Sequence, residues 1–243
     1  MASRPEIMER LVMQPASSVY PLLGTAYKSA GNNIEYSMHL VMTGKSYYDS
    51  KPKDGRMSTA AEELAIQLSL ERAGQDPKKV GVFNDLFVIN DSYWRVWQWT
   101  ATGLRIPKGR DPTKYETDAK GRKYWAREVL IGKDVIGEIL VPEGNGRVAV
   151  EWDEVFGLPK TTDNIDFPHK PYTTHFWFNQ TPSKDGKSGH YDVAVGRRGF
   201  WLRDVDRGCL AVNALYARSD AGSDDGFRPV RGSLPEIKNT SAK

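Results

Sequence analysis

One cysteine and four histidines are the side chains of this sequence best suited to redox, nucleophilic or metal chemistry. Because Cys209 is the only thiol, the chain can form neither an internal disulfide nor a metal site with several cysteine ligands. No two of the histidines have the i, i+4 spacing that places two imidazoles on one helix face; they are His39, His169, His175 and His190. These residues therefore predict no catalytic site, no transition-metal site and no bound cofactor.

A short acidic stretch is the remaining candidate for a metal site. Asp163, Asn164 and Asp166 carry the hard oxygen atoms that Ca²⁺ prefers. The stretch lacks the ligand order of an EF-hand loop, so a solvated acidic loop is the alternative interpretation. The sequence alone leaves the presence of a structural calcium open.

The segment from Gly196 to Arg228 has an unusual composition. Its positive residues are all arginines and its negative residues are all aspartates, and it lacks lysine, glutamate, glutamine and methionine. About five residues of these four types would be expected in a segment of this length with ordinary composition. Selection for a charged surface does not separate Lys from Arg or Glu from Asp so sharply, whereas a restriction on which codons can occur would. The composition therefore favours a restriction at the level of the codons.

The charge and hydropathy of the whole chain limit its partners. The net charge is +3, and the positive residues are scattered, so neither nucleic acid nor a membrane is expected as a partner. No apolar run reaches the length of a membrane span, and the first residues lack the apolar core of a signal peptide. We therefore expect a cytoplasmic protein, or one carried on the surface of a virion assembled in the cytoplasm. Nothing in the sequence indicates the oligomeric state.

Local patterns predict a single α+β domain with few helices, many short strands and long loops. Thr59 and Glu62 have the spacing of a capping box, and apolar residues follow at helical intervals, so residues 60–73 are predicted to form a helix. Strands are predicted at residues 34–43, 80–89, 94–100 and 174–179, and a hairpin is predicted to join 134–141 to 147–152 through a turn at 143–146.

Four pieces of the sequence, in order, resemble the C-type lectin fold of the formylglycine-generating-enzyme type. They are residues 57–72 (MSTAAEELAIQLSLER), which resemble its opening helix; Trp94–Gly103 (WRVWQWTATG), similar to its "VWEWT" strand; Gly199-Phe200-Trp201, similar to "GGSW"; and Gly226–Arg231, similar to "GFRxVR". The resemblance implies a small, twisted antiparallel sheet, with the last strand central and beside the tryptophan-rich strand. It divides the chain into an N-terminal segment, 1–56, packed on or leading into the domain, and the domain itself, 57–243.

Within that fold, Gly208 to Arg228 resembles the variable region of proteins diversified by diversity-generating retroelements, as found in phages and archaeal viruses. Ala211-Val212-Asn213, then Arg218-Ser219, then Gly226-Phe227-Arg228-Pro229 match the invariant frame of such regions. In the family, the positions between are encoded by AAY-type codons whose adenines are replaced at random. Such codons yield Leu, Arg, Asp, Tyr, Ala, Gly, Cys and Phe but never Lys, Glu, Gln or Met, which is the bias seen here.

The resemblance implies a variable region of about 200–225 and assigns two sets of residues, a variable face and a structural frame. The variable face, predicted to gather on one exposed surface and bind ligand, consists of Phe200, Leu202, Arg203, Asp204, Asp206, Arg207, Leu215, Tyr216, Ala217, Asp220, Gly222 and Asp224. The structural frame, predicted to hold it, consists of Trp97, Trp99, Trp201, Asn213, Arg218, Gly226, Phe227 and Arg228. Trp94, Trp97 and Trp99 could also serve as a sugar-stacking platform, but their place on the family's core strand implies packing.

Two classes of function follow from the resemblance. The first is a non-enzymatic protein, displayed by a virus, that binds a protein or glycan on a host-cell surface through the variable face. The alternative is a diverged formylglycine-generating or iron-dependent oxidoreductase. A formylglycine-generating enzyme needs a pair of thiols, and the iron-dependent enzymes of this fold need a close His/His/Glu cluster. Because the chain has one cysteine and no pair of histidines at the i, i+4 spacing, the sequence favours the binding protein.

Overall fold

The computed structural model of the protein describes residues 13–15, 35–37, 41–42, 44, 46–50, 52, 55–64, 97–163, 175–178, 192–197, 212–219, 225–227 and 229–232. The described part is mostly β-sheet, with one short helical segment, α1, at residues 60–64. The strands are β1 (Met13–Pro15), β2 (Glu35–Ser37), β3 (Val41–Met42), β4 (Arg56–Met57), β5 (Trp97–Arg105), β6 (Glu116–Thr117), β7 (Lys123–Ile131), β8 (Asp134–Pro142), β9 (Gly144–Asp153), β10 (Leu158–Asp163), β11 (His175–Phe178), β12 (Asp192–Arg197), β13 (Val212–Asn213), β14 (Asp225–Phe227) and β15 (Pro229–Arg231).

The strands of the described residues form two sheets. The larger is a curled, branched sheet of 11 strands in the order β10-β9-β11-β13-β12-β5-β14-β3, with β7 added beside β5, and β6 and β8 beside β7. The smaller has four strands in the order β1-β2-β15-β4. Strands from the N-terminal segment therefore enter both sheets, because β3 pairs with β14 and β2 pairs with β15.

Strand β5 organises the larger sheet. One of its edges pairs antiparallel with β12 between Gln98 and Arg105. Its other edge is shared, because Trp97–Trp99 pairs parallel with β14 and Thr102–Arg105 pairs antiparallel with β7. The prediction that the Gly226–Arg231 strand lies beside the tryptophan-rich strand is confirmed for β14. Its predicted central place is not, because β14 is next to the edge strand β3, and Pro229–Arg231 forms β15 in the smaller sheet. The sheet itself is larger than predicted and is mixed, because β11 also pairs parallel with β13.

The side chains of β5 divide between two faces. Gln98 and Thr102 point to α1: the Gln98 amide donates to the Ser58 hydroxyl at 3.2 Å, and the Thr102 hydroxyl accepts from the Ala60 backbone N–H at 3.0 Å. On the opposite face, Trp99 packs with Tyr47 and Phe227 in a small apolar cluster. This alternation follows from the period of two along a strand.

The predicted helix start is confirmed in atomic detail. The Glu62 backbone N–H donates to the Thr59 hydroxyl at 3.1 Å, and the Glu62 carboxylate accepts from the Thr59 backbone N–H at 2.8 Å. These two reciprocal bonds are a capping box, which satisfies backbone donors that a helix start otherwise leaves unpaired. Residues 65–73 of the predicted helix lie outside the described residues, as do the predicted strand 80–89 and residues 94–96. None of the described helical residues belongs to a helix long and apolar enough to span a membrane.

The predicted hairpin between residues 134–141 and 147–152 is wrong. β8 pairs with β7 through the turn at Gly132, which has φ +64°, and β9 pairs with β10 through a turn that ends at Gly157, with φ +70°. The Glu143 backbone N–H donates to the Lys123 carbonyl at 2.8 Å, and β9 begins at the next residue. The glycine-containing stretch 143–146 is therefore a link between two hairpins and the start of a strand, not a turn.

Candidate functional site

The predicted site residues divide between those that the structure describes and those that lie outside the described residues. Outside them are Phe200, Leu202, Arg203, Asp204, Asp206, Arg207, Asp220, Gly222 and Asp224 of the variable face, and Trp201 and Arg228 of the frame. Described are Leu215, Tyr216 and Ala217 of the variable face, and Trp97, Trp99, Asn213, Arg218, Gly226 and Phe227 of the frame. The gathering of the whole variable face on one surface therefore stays a prediction.

The backbone of residues 212–219 is fixed by hydrogen bonds at several points. β13 lies between β11 and β12, and the Ala214 N–H donates to the Trp177 carbonyl at 2.9 Å. The Asn213 side-chain oxygen accepts from the Leu215 N–H at 2.9 Å, which is an Asx turn that directs the chain out of the sheet. Ala217 then forms an isolated bridge with Val193 of β12. The excursion that carries Tyr216 is thus anchored on both sides.

Burial along this segment changes sharply over a few residues. Asn213 and Arg218 are each 5% exposed, whereas Tyr216, between them, is 46% exposed. Leu215 and Ala217 are intermediate. The frame residues Trp99 and Phe227 are also buried, as is Gly226. A buried frame residue on each side of an exposed tyrosine is the arrangement expected where one side chain can be changed without disturbing its neighbours.

Arg218 is the anchor at the end of the excursion. Its Nη1 donates to the Gly132 carbonyl at 2.8 Å. Its guanidinium carbon lies 5.4 Å from the ring centre of Tyr47 and 5.3 Å from that of Tyr48, distances at which a cation attracts an aromatic face. Gly103 lies beneath it, and a Cβ there would approach the Arg218 side chain to 3.2 Å. A side chain at position 103 would therefore press on the arginine and shift it by a few tenths of an ångström.

Two tyrosines of loop 46–50 complete the site. The Tyr47 hydroxyl donates to the Ala101 carbonyl at 2.7 Å, and its ring meets that of Tyr48 edge-on, with centroids 5.6 Å apart. The Trp99 and Tyr216 rings also meet edge-on, with centroids 6.4 Å apart. We define the tyrosine–arginine cluster as the five side chains that these contacts join, namely Tyr47, Tyr48, Trp99, Tyr216 and Arg218.

Sequence reasoning missed the contribution of Tyr47 and Tyr48. They lie in the stretch 44–56 (GKSYYDSKPKDGR), whose polar composition indicates only a loop. The available signal was the adjacent pair of tyrosines itself, since large aromatic residues in a polar loop are candidates for packing or binding. Their partner Arg218 lies about 170 residues further along the chain, so no local pattern could join them.

The side chains of the cluster are of types that are common at protein interfaces. Tyrosine and arginine present broad amphipathic surfaces and fixed donors, which are the groups enriched at interface hot spots. Among the described residues, no three His, Cys, Asp or Glu side chains lie close enough together to hold a metal ion. Of the acidic stretch considered for calcium, Asp163 is exposed, and Asn164 and Asp166 lie outside the described residues. His175 lies on β11, and Cys209, His39, His169 and His190 lie outside the described residues.

An open cleft of about 720 Å³ lies elsewhere, between the loop after β5 and the surface of β6, β7 and β8. Its charged lining is balanced, with Lys108, Arg110 and Lys114 facing Asp111, Glu116 and Glu138. Tyr115 at its side is 46% exposed, the same fraction as Tyr216, and packs against Trp125 with ring centroids 5.3 Å apart. This tyrosine provides a matched comparison for those of the tyrosine–arginine cluster.

Asp118, in the β6–β7 turn, has the most strongly shifted pKa among the described carboxylates for which a value is resolved. Desolvation raises its pKa, but four hydrogen bonds outweigh that effect, and the net result is a pKa of about 2. The donors are the backbone N–H groups of Arg122 and Lys120, the Arg122 guanidinium and the Tyr124 hydroxyl. The same network raises the pKa of Arg122. This network fixes the turn between Glu116 and Tyr124, two residues that line the cleft.

Because the pKa of Asp118 is lowered, the stability that its carboxylate contributes to the fold depends on pH. Because the folded-state pKa lies below the unfolded value of about 3.9, the ionised carboxylate stabilises the fold above about pH 4, and this contribution is lost as the pH falls through about 2. We expect the NMR signal of the Asp118 carboxyl carbon to titrate with a midpoint near pH 2. In Asp118→Asn, the melting temperature should fall less between pH 5 and pH 2.5 than in the wild type. A midpoint near pH 4 would contradict the network.

The chain was compared with known proteins at the level of families, curated sequences and solved structures. No protein-family model matches the sequence. The search of curated proteins also gave no match, and neither did the search of solved structures.

Proposed function

We propose that this protein is a non-enzymatic binding protein whose C-terminal face is diversified by a retroelement through adenine-directed mutagenesis. In this proposal a virus displays the chain, and the variable face binds a protein or glycan on the surface of a host cell. The accompanying fold assignment is the C-type lectin fold of the formylglycine-generating-enzyme type. The place of β14 beside Trp97–Trp99 and the capping box that opens α1 support that assignment.

One observation carries the proposal: an exposed Tyr216 projects from a backbone that buried residues hold on both sides. A diversified protein must accept many side chains at one position without losing its fold. That requires side chains that point to solvent from a rigid backbone, because buried neighbours would otherwise depend on their volume. The contrast between Tyr216, 46% exposed, and its neighbours Asn213 and Arg218, each 5% exposed, supports this requirement.

The composition of the segment supports the same proposal independently. A solvent-exposed surface tolerates Lys as readily as Arg, and Glu as readily as Asp, so exposure alone does not account for the bias. Replacement of adenines in AAY codons accounts for both the missing residue types and the presence of Tyr, Arg and Asp. A rigid backbone also limits the ordering cost of binding, so a few tyrosine and arginine contacts can suffice for a useful affinity.

A library built on the full chain tests the proposal. All positions of the variable face are randomised with codons that encode the residue types reachable from AAY, and the clones are displayed and panned against immobilised hen lysozyme as a defined protein. We expect more than about half of the clones to keep a melting temperature within about 5 °C of the wild type, because exposed substitutions cost little. We expect selected clones to bind lysozyme with a Kd of about 1 µM or tighter.

A second library, randomised at the frame positions Trp99, Asn213, Arg218, Gly226 and Phe227, is the control and should give few folded clones. If both libraries lose the fold equally, the distinction between face and frame is wrong. If the first library folds but yields no binder, the binding function is wrong. A metal analysis and a thiol-oxidation assay on the wild-type chain address the alternative oxidoreductase, and turnover in that assay would displace the proposal.

A further inference from the structure

Tyr48 lies outside the variable region yet is as exposed as Tyr216. It is 48% exposed, against 46% for Tyr216, and it belongs to the loop 46–50 near the N-terminal strands. We propose that Tyr48 is a fixed contact residue of the binding surface, so that the partner is bound by one invariant and one variable tyrosine. This inference rests on the proposed function and adds to it a residue that the diversification does not reach.

Arg218 connects the two tyrosines. The Tyr48 ring centre is 5.3 Å from the Arg218 guanidinium, and Arg218 is two residues from Tyr216 along a fixed backbone. The Tyr47 ring lies on the same guanidinium and packs in the same apolar cluster as Trp99, which in turn contacts Tyr216. The exposed rings of Tyr48 and Tyr216 are therefore both supported by side chains of the same cluster, Arg218 and Trp99.

The spacing suits a single interface. Two residues of extended chain span at most about 7 Å, and an arginine side chain reaches about as far again. Tyr48 and Tyr216 therefore lie within about 20 Å of each other. A standard protein interface buries about 800 Å² per partner, which is a disc about 30 Å across. One partner can contact both tyrosines at once.

The chemistry of the two rings indicates a folded protein as the partner. Each ring is held at one side by an aromatic or guanidinium contact, so little side-chain freedom remains to be lost on binding. A supported tyrosine offers apolar area together with a hydroxyl, the combination that paratopes use against protein surfaces. Asp49, held by the Ser46 hydroxyl at 2.7 Å, adds a fixed acceptor beside Tyr48 for a donor of the partner.

The test uses clones of the diversified full chain that bind a defined probe. Clones are selected in parallel on immobilised hen lysozyme and on dextran, and each is remade with Tyr48→Ser, Tyr48→Phe and Tyr115→Ser. We expect Tyr48→Ser to weaken the Kd for lysozyme at least tenfold in most protein-binding clones. Tyr48→Phe should keep the Kd within about threefold, because it retains the ring. Tyr115→Ser removes an equally exposed tyrosine at the cleft and should leave the Kd unchanged.

Each other outcome overturns a stated part of the inference. An unchanged Kd in Tyr48→Ser removes Tyr48 from the binding surface and leaves the proposed function standing. A loss confined to dextran-binding clones overturns the assignment of a protein partner. A loss that parallels a fall in melting temperature gives Tyr48 a structural role only and also overturns the inference. A library without binders on either probe overturns the proposed function and this inference together.

Discussion

Phe227→Ala should lower the free energy of unfolding by about 3–5 kcal/mol, because it removes a large buried side chain and leaves a cavity. Phe227 is 2% exposed and packs with Tyr47 and Trp99, and its strand β14 lies between β5 and β3. A loss of this size is a large part of the 5–15 kcal/mol that stabilises an ordinary domain. Urea unfolding followed by tryptophan fluorescence measures it directly, since Trp99 is a direct neighbour.

Tyr216→Ala is the matched control for this substitution. It also removes an aromatic ring in contact with Trp99, but from a half-exposed position. The edge-on contact is worth about 1 kcal/mol, so the free energy of unfolding should fall by about that amount or less. A cost equal to that of Phe227→Ala would show that Tyr216 is part of the core and would remove it from the binding surface.

Gly157→Ala should destabilise the protein by more than about 3 kcal/mol, because two separate effects combine at this position. Gly157 has φ +70°, which a residue with a Cβ adopts only with strain. A Cβ there would also lie 2.3 Å from the backbone of Ala60 and Ala61 in α1. Backbone atoms at a capped helix start cannot move aside as a flexible side chain can. Thermal unfolding of the variant should show the loss as a large fall in melting temperature.

Gly109→Ala separates the two effects. Gly109 has a similar φ of +78°, but a Cβ there would have nothing within 4 Å. This variant should therefore show only the conformational cost, about 1–2 kcal/mol. If the two alanine variants lose equal stability, the packing of the β9–β10 turn against α1 contributes nothing.

The capping box and the C-terminal strand could be predicted from the sequence because both depend on short patterns. Thr59 and Glu62 are three residues apart, and their reciprocal hydrogen bonds need no distant partner. The place of Phe227 beside Trp99 followed from the family resemblance, and the structure confirms that pairing. The breadth of the mixed sheet could not be predicted, since it depends on pairings between strands far apart in the chain.

The hairpins show where local turn signals mislead. The stretch 143–146 has two glycines and an asparagine, which favour a tight turn. The actual turns are at Gly132 and Gly157, where the residues on either side pair in register with each other. A glycine that suits a turn is present at 143–146 as well as at Gly132 and Gly157, so local sequence does not tell these sites apart. Contacts between distant residues do: Phe156 from the β9–β10 turn packs beside Gly137 of β8.

The candidate site was predicted only in the parts that the biased composition and the family resemblance mark, the latter giving Trp99. Tyr216 and Arg218 fall within the biased segment, whereas Tyr47 and Tyr48 reach the site through cation–aromatic contacts with Arg218 across the fold. Such contacts leave no periodic trace in a sequence. The tertiary structure was therefore needed to find the invariant half of the proposed surface.

Deep sequencing of the gene and its flanking DNA is the most direct test of the proposal that a retroelement diversifies residues 200–225. We expect a near-copy of codons 200–225 beside a reverse transcriptase gene, with AAY codons at the positions of the variable face. We also expect variation among copies of the gene to be confined to those positions, while the codons for Tyr48, Asn213, Arg218 and Phe227 stay constant. A locus without such a copy, with variation spread evenly over the gene, would contradict the account.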